Sequence, residues 1–429
     1  MTAEPEFLSE DDARILALES AAVAGHTLKL LILEPGATLD LDGLRHRVTE
    51  RLDAHPRARE RVDTGGDRPR WVPAEDFDIA RHIRRYPEPV ASVEDLRCTV
   101  GDLMAEPLDH RHPLWSIDVI GPLDDGREAL AARLHHAMVD GIAGMRFLQD
   151  AVADPGEHAA SSVGMRPAPA SRTRRGLWQR LPAAIGRELG RPGSRSPFDR
   201  PLTAHRELAF TTVPLGALKA IGASRPRRTT VNDVLMAIVS GGLRSWLGAS
   251  APHLRAQIPV SLHHRDDGPT VGNRDSFMNV DLVLRASDPL IRLDRISAQT
   301  RAAKQADDAE LMYDLMHAIG QLHPLGGLPS VSAMLERVES SAREFSVAIS
   351  NVPGPRSELS VTGRRVAQLV SASEPGMHHA LRIAAISHGD SLGIGFCTDP
   401  TAVSDIAGLA DAVEKAYREL QRYDVRHAH

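Results

Sequence analysis

The segment that most restricts how this chain can fold is His135-His136-Ala137-Met138-Val139-Asp140-Gly141. It stands between two apolar runs of different period. Glu128-Ala129-Leu130-Ala131-Ala132-Arg133-Leu134 reads as a strand, while Ile142, Met145 and Leu148 fall at helical spacing. The chain must therefore pass from sheet to helix within a few residues, and Gly141 is expected to supply backbone freedom at the turn. Side chains alternate along a strand, so the two imidazoles project to opposite faces. His136 continues the face of Leu134, Ala132 and Leu130, and His135 that of Arg133. Only one of the two can face a given cleft.

The chemistry that suits such a turn is proton abstraction. A neutral imidazole titrates near pH 7 and can take a proton from a hydroxyl or amine that attacks an acyl group. Asp140 either holds the ring through a hydrogen bond or pairs with an arginine and locks the loop. No serine or cysteine stands in a G-x-S-x-G elbow, so direct transfer from a thioester is simpler than a covalent acyl-enzyme. Two histidines and an aspartate are metal-ligand types, but adjacent strand histidines point apart and no third nitrogen or sulfur ligand has suitable spacing. No metal is expected. A lone His-x-x-x-Asp also arises by chance and is often structural, so the motif needs company.

That company is present in sequence order. Pro113-Leu114-Trp115 lies upstream; Ser196-Pro197-Phe198-Asp199-Arg200-Pro201-Leu202, Thr230-Val231-Asn232-Asp233-Val234, Gly272-Asn273 and Asn351-Val352-Pro353-Gly354-Pro355 follow. Together with His135–Gly141, these elements resemble the HHxxxDG, PLW, ND and related motifs of the bacterial wax ester synthase/acyl-CoA:diacylglycerol acyltransferases. The resemblance covers residues 7 to 400, nearly the whole chain.

The resemblance implies an α/β fold of the CoA-dependent acyltransferase superfamily. Two related chloramphenicol acetyltransferase-like domains with mixed sheets would enclose an interdomain active-site channel. It implies no cofactor, with acyl-CoA as co-substrate and diacylglycerol or a long-chain alcohol as acceptor. By carry-over His136 is the general base, Asp140 with Gly141 fixes the turn, and His135 shapes the pocket or strand end. Asn232, at a helix N-terminus, would donate to the developing oxyanion, with helix capping as the plainer alternative. Trp115 would form core or tunnel wall. Gly272-Asn273 reads as a turn with a binding contact, and Asn351 and Pro353 as part of a rigid turn bordering the channel.

Composition sets the remaining bounds. A chain of 429 residues exceeds one ordinary core. Punctuation divides it into an N-terminal domain at 1–153, a Pro/Gly/Arg-rich linker at 154–204 and a C-terminal domain at 205–429. The clearest helix spans Thr229 to Leu247, capped by Thr229 or Thr230. Asp11 to Ala22 and Leu41 to His55 also read as helices, and Thr27 to Leu33, Glu207 to Val213 and Glu344 to Ser350 as strands. A net charge of −6 disfavours nucleic acid as partner. Cys98 and Cys397, far apart, suit a reducing cytosol. No signal peptide or membrane-spanning run is seen, so a cytoplasmic enzyme is expected. Within the linker, Leu177, Trp178, Leu181, Ile185 and Leu189 would form an apolar stripe flanked by arginines, the pattern of reversible contact with a membrane or lipid-droplet surface. Lysine occurs only at 29, 219, 304 and 415, a compositional bias with little functional weight.

Some features depart from the pattern. His263-His264 and His378-His379 match no family element and raise a faint metal possibility, with loop histidines as the simpler reading. Aromatic residues make up 4%, so a wide aliphatic tunnel must be lined by Leu, Val, Ile and Met. Two other functions stand beside the first: a condensation-domain-like transfer from a carrier-protein thioester or onto a secondary metabolite, and a non-catalytic lipid-binding protein. The PLW, ND and NVPGP elements favour the CoA-dependent enzyme over the second reading, and the intact histidine motif disfavours the third.

Overall fold

The structure is a computed structural model that describes residues 6–139, 141–155, 196–248, 252–261, 275–306, 345–376 and 379–427. Two six-stranded sheets organise it. His26–Leu33, Trp115–Ile120 and Ala129–His135 are each buried along their full length. A strand covered on both faces needs apolar residues on both, which is why these segments read as near-continuous apolar runs.

The first sheet has the order Ser360–Val361, Arg364–Ser373, His26–Leu33, Ala129–His135, Trp115–Ile120, Ile83–Arg85. Its strands are antiparallel except the last pair, Ile83–Arg85 with Trp115–Ile120. The second sheet has the order Asp275–Asp281, Arg255–Ser261, Val347–Val352, Leu381–His388, Ser391–Thr398, Glu207–Pro214. Val347–Val352 runs parallel to both its neighbours and the other pairs are antiparallel. Both sheets are thus mixed. A short three-stranded sheet, Glu6–Phe7, Arg70–Pro73 and Glu60–Asp63, completes the β-structure among the described residues.

Sheet membership follows chain order with one exception. Ser360–Val361 and Arg364–Ser373, from the C-terminal half, lie on the edge of the N-terminal sheet and cover His26–Leu33. Buried charge fixes this crossover. The fully buried Glu128 carboxylate is held by Arg85 at 2.8 Å, by the Leu39 N–H at 2.8 Å and by Arg364 of the crossing strand. Asp154 accepts from the Thr362 and Gly363 amides at 3.0 and 2.7 Å and pairs with Arg47. The two sheets meet where the crossing strand packs on Ser391–Thr398. A Cβ on Gly393 or Gly395 would overlap the carbonyl oxygens of Leu369 and Ser371, so both positions must stay bare.

Helices Val231–Leu247 and Ile406–His427 cover the outer face of the second sheet, where Val234, Leu235, Ile238, Leu409 and Val413 share a core with Ile383 and Ile394. The predicted 229–247 helix starts at Val231, because Thr230 caps it. The Thr230 hydroxyl accepts the Asp233 N–H at 3.2 Å, and the Asp233 carboxylate accepts the Thr230 N–H at 2.8 Å. The helix expected over 41–55 ends at Arg51 and tightens into a 3₁₀ turn at Leu52–Ala54, because Pro56 forbids a helical residue before it. The helix expected over 11–22 is Glu10–Ala17, capped by Ser9. Among the described residues no helix is long and apolar enough to cross a membrane. The linker stripe at 177–189 lies outside them.

Candidate active site

The two histidines part company at the end of their strand. His135 is its last residue, opposite His26 in register, and His136 begins the turn. The turn is tied down on every side. His135 N–H donates to Leu114 O at 3.0 Å, its carbonyl accepts from Met138 and Val139, and His136 N–H donates to Gly25 O at 3.0 Å. Leu114 belongs to the Pro113-Leu114-Trp115 element, so that motif serves as a backbone rest for the histidines.

The His135 ring has no solvent exposure. Its Nδ1 accepts the Ala137 N–H at 3.0 Å, and its Nε2 stands 2.5 Å from a Glu19 carboxylate oxygen. A nitrogen that accepts an N–H carries no hydrogen, so the hydrogen sits on Nε2, against the carboxylate. Both ring positions are committed and no lone pair is left to receive a substrate proton. Glu19 also meets His110 Nε2 at 2.8 Å. Burial raises the Glu19 carboxyl, but the hydrogen bonds from His110 and His135 outweigh it and hold the group at about 2.

Gly25 completes this cradle. Its φ of +72° suits glycine, and a Cβ there would collide with His135 Nε2. The Glu374 carboxylate accepts the Ala24 and Gly25 amides at 3.0 and 2.7 Å and lies 3.8 Å from Arg206. Glu374 follows the crossing strand, so the C-terminal half holds the loop that holds His136.

His136 is half-buried, in contrast to the closed-off His135. Burial among protein atoms, then the charges of Arg382 and Lys29 and the neighbouring His135, lower its pKa to about 3. It is therefore neutral across the physiological range. Lys29 and Arg382 come from the two different sheets. The turn also touches the second sheet directly: a Cβ on Gly141 would lie 3.1 Å from Val352 Cγ2. Gly141 has no left-handed φ. The expected backbone freedom is replaced by a need for space where helix Gly141–Phe147 meets strand Val347–Val352.

The other sequence candidates fall in different places. Trp115 belongs to a closed core against the first sheet. It is 1% exposed, its Nε1–H donates to Ala58 O at 2.9 Å, and its ring stacks on His82 and meets Phe147 edge-on. It has no face left for a substrate. Asn351 is in strand Val347–Val352, opposite Ala385, and not in a turn after it; Pro353 just beyond is exposed. The strand ends two residues later than expected because parallel pairing with Leu381–His388 continues through Val352. Asn232 is the second residue of its helix, on the far side of the second sheet, and no described contact joins it to His136. Asp233 is accounted for by the cap and by a 2.7 Å bond from Thr300 Oγ1. Asp140, Gly272, Asn273, His263, His264 and His378 lie outside the described residues. His379 is buried, stacks on Phe345 and lies 3.8 Å from Asp199. Among the described residues no group of His, Cys, Asp and Glu has the arrangement of a metal site.

Sequence reading missed Glu19, Gly25, Lys29, Glu374 and Arg382. Lys29 left a signal, a cation inside the run His-Thr-Leu-Lys-Leu-Leu-Ile-Leu. The others are remote in sequence from the motif and left none.

Comparison with known proteins identifies the family. A family model described as the wax ester synthase/diacylglycerol acyltransferase catalytic domain matches residues 8–193, and the WS/DGAT C-terminal domain matches 271–421. A putative diacylglycerol O-acyltransferase of Mycobacterium bovis is 30% identical over 386 residues, 80% of this chain and 75% of the relative. The O-acyltransferase WSD of Acinetobacter baylyi is 27% identical, over 82% of this chain and 83% of its own. The wax ester synthase/diacylglycerol acyltransferase of Marinobacter aquaeolei superposes with a TM-score of 0.72 at 22% identity, covering 98% of this chain and all of that one. The first condensation domain of the calcium-dependent antibiotic synthetase superposes at 0.62 with 15% identity, covering 100% and 98%, a likeness of fold. With its motifs, its mixed two-sheet architecture and these matches, the chain belongs to the wax ester synthase/diacylglycerol acyltransferase family of acyltransferases.

Proposed function

We propose that this chain transfers a long-chain acyl group from acyl-CoA to the hydroxyl of a diacylglycerol or long-chain alcohol, with His136 as general base. The observation that carries this reading is the division of labour between adjacent imidazoles. His135 has both ring nitrogens committed to Ala137 and Glu19, whereas His136 is neutral and partly open. A neutral imidazole can accept the hydroxyl proton as the oxygen attacks the thioester carbonyl. The tetrahedral intermediate then collapses, the carbon–sulfur bond breaks, and the imidazolium returns the proton to the leaving thiolate. Products are the ester and free CoA.

The roles of the neighbours follow from their contacts. Glu19, Gly25 and Glu374 act as positioning residues that fix the turn, and Gly141 admits the second sheet beside it. Asp140 is assigned to the turn from the motif. Reversible membrane or lipid-droplet contact through the 177–189 stripe, and a cytoplasmic location, belong to the same reading on sequence grounds. The division into domains at 1–153 and 205–429 is retained, with residues 360–373 exchanged.

The test is thiol release from palmitoyl-CoA with diacylglycerol and a panel of long-chain alcohols, on wild type and His136→Ala. Acceptor-dependent release that falls by roughly a hundredfold or more in the variant is the expected result. Undiminished release from a folded His136→Ala protein removes the assignment, and release only from an acyl-carrier donor moves the donor class.

A further inference from the structure

The floor beneath His136 carries a feature that acyl transfer between neutral lipids does not require. In strand His26–Leu33, Thr27 and Lys29 share a face with Leu31, and their antiparallel partners on the crossing strand are Ser373 and Ser371. On the other side Thr27 pairs with Leu134, so this is the face that His136 continues. An aliphatic acyl tunnel would be lined here by carbon. This chain presents three hydroxyls and an ammonium.

Lys29 is 1% exposed. Its Nζ donates to Ser371 Oγ at 2.6 Å and Thr27 Oγ1 at 3.2 Å, and no carboxylate of the described residues is within ion-pair distance. Arg382 approaches from the second sheet, pairing with Cys397 in register, and its Nε is buried without a hydrogen-bond partner. The nearby buried carboxylate, Glu374, is already engaged by two backbone amides and by Arg206. The buried Lys29 ammonium and the half-buried Arg382 guanidinium thus lie beside one histidine, and among the described residues neither is ion-paired to a carboxylate. Burying a cation without a partner is costly, and one retained in this way is explained when something else supplies the charge.

We propose that Lys29 and Arg382 form a receptor for an anionic group, a carboxylate or a phosphate, that the acceptor carries close to its reacting hydroxyl. The chain would then acylate hydroxy acids or phosphate-bearing alcohols in preference to neutral ones. This rests on His136 being the base and narrows the acceptor class of that reading. The arrangement also answers a chemical difficulty. Repulsion from the two cations opposes formation of the imidazolium, and a bound anion would cancel it when the proton is transferred. Lys29, lowered to about 8 by its burial and by Arg382, remains mainly protonated at neutral pH and keeps its charge for the ligand.

Matched pairs of acceptors test this. One pair is 3-hydroxyhexadecanoate and 2-hexadecanol; the other is 1-hexadecanoylglycerol 3-phosphate and 1-hexadecanoylglycerol. Equilibrium binding of each is measured on wild type, His136→Ala, Lys29→Met, Lys29→Arg and Arg382→Met, with thermal unfolding to show that each variant folds. A bond to a buried charge predicts that the anionic member of one pair binds about ten- to a hundredfold tighter than its neutral partner. The pair that shows the difference identifies carboxylate or phosphate. Lys29→Met should abolish the preference and Lys29→Arg should retain most of it. Should Lys29→Met fail to fold, Arg382→Met carries the same prediction.

Equal binding within both pairs in the wild type overturns the proposal, as does a preference that survives both methionine substitutions. Turnover adds a second check. If Lys29→Met lowers kcat by the same factor on neutral and anionic acceptors, the charge serves the reacting oxygen and not an acceptor anion. Binding measured in His136→Ala separates the two readings, because failure of the base assignment leaves the anion preference intact.

Discussion

Replacing His135 and His136 one at a time should have opposite consequences, although they are neighbours of identical type. In His135→Ala, the Ala137 N–H loses the acceptor it holds at 3.0 Å, and Glu19 loses the ring 2.5 Å away while already half-committed to His110. The orphaned, buried Ala137 amide costs about 1–3 kcal/mol, and the vacated ring volume with the loss of one of the two partners of half-buried Glu19 brings the total to about 3–5 kcal/mol. With an unfolding entropy of about 2.1 cal/mol/K per residue, a chain of this length loses about 0.9 kcal/mol for each kelvin, so the melting temperature should fall by about 3–6 °C. In His136→Ala the removed imidazole is one whose surroundings already oppose its charge, so stability should change by about 1 kcal/mol or less while turnover falls roughly a hundredfold or more. Differential scanning calorimetry beside a thiol-release assay reads both. Equal melting temperatures for wild type and His135→Ala would refute the cradle argument. A destabilised His136→Ala that retains turnover would refute the whole division.

Three further outcomes follow from the same geometry. Glu19 is held at about 2 against an ordinary 4.5, so its contribution is complete above pH 4.5 and is lost as pH falls toward 2; Glu19→Gln should flatten the pH dependence of urea-unfolding stability in that window, by about 3 kcal/mol at most. Because the free enzyme's His136 titrates near 3, kcat/KM for a neutral acceptor should show no loss between pH 7 and pH 5, where an ordinary histidine base would lose most of its activity; a limb near 6.5 would contradict the low pKa. Gly25→Ala should lower both stability and kcat, since its Cβ meets His135 and its φ is left-handed; an unaffected protein would show that the turn yields more freely than its contacts imply.

The fold was legible where one segment carries its own signal. The apolar runs at 27–33 and 128–134 and the capped helix after Thr230 follow from periodicity and punctuation over short stretches. The candidate site was legible only at the histidine motif. Face alternation predicted that His135 and His136 would diverge, yet which ring is spent depends on Glu19 and Gly25, more than a hundred residues away. Asn351 was read as a turn because the strand's extension through Val352 is set by a partner strand, not by its own residues. Trp115 sits in a motif shared with enzymes but is held by Ala58 and His82, which no local pattern announces. Arg382 gains significance only when its strand is seen beside the crossing strand and the histidine turn.

The crossing strand also governs how the protein must be made. During synthesis His26–Leu33, buried on both faces in the folded protein, pairs early with Ala129–His135 but has no neighbour on its other edge until Arg364–Ser373 has emerged. An open apolar edge of that kind invites pairing with the wrong chain. The N-terminal half is thus unable to reach its final state while it is being translated, and the loop carrying Gly25 stays unanchored until Glu374 arrives. Two fragments divided within the 156–195 stretch are expected to aggregate when expressed apart and to reconstitute one another when expressed together.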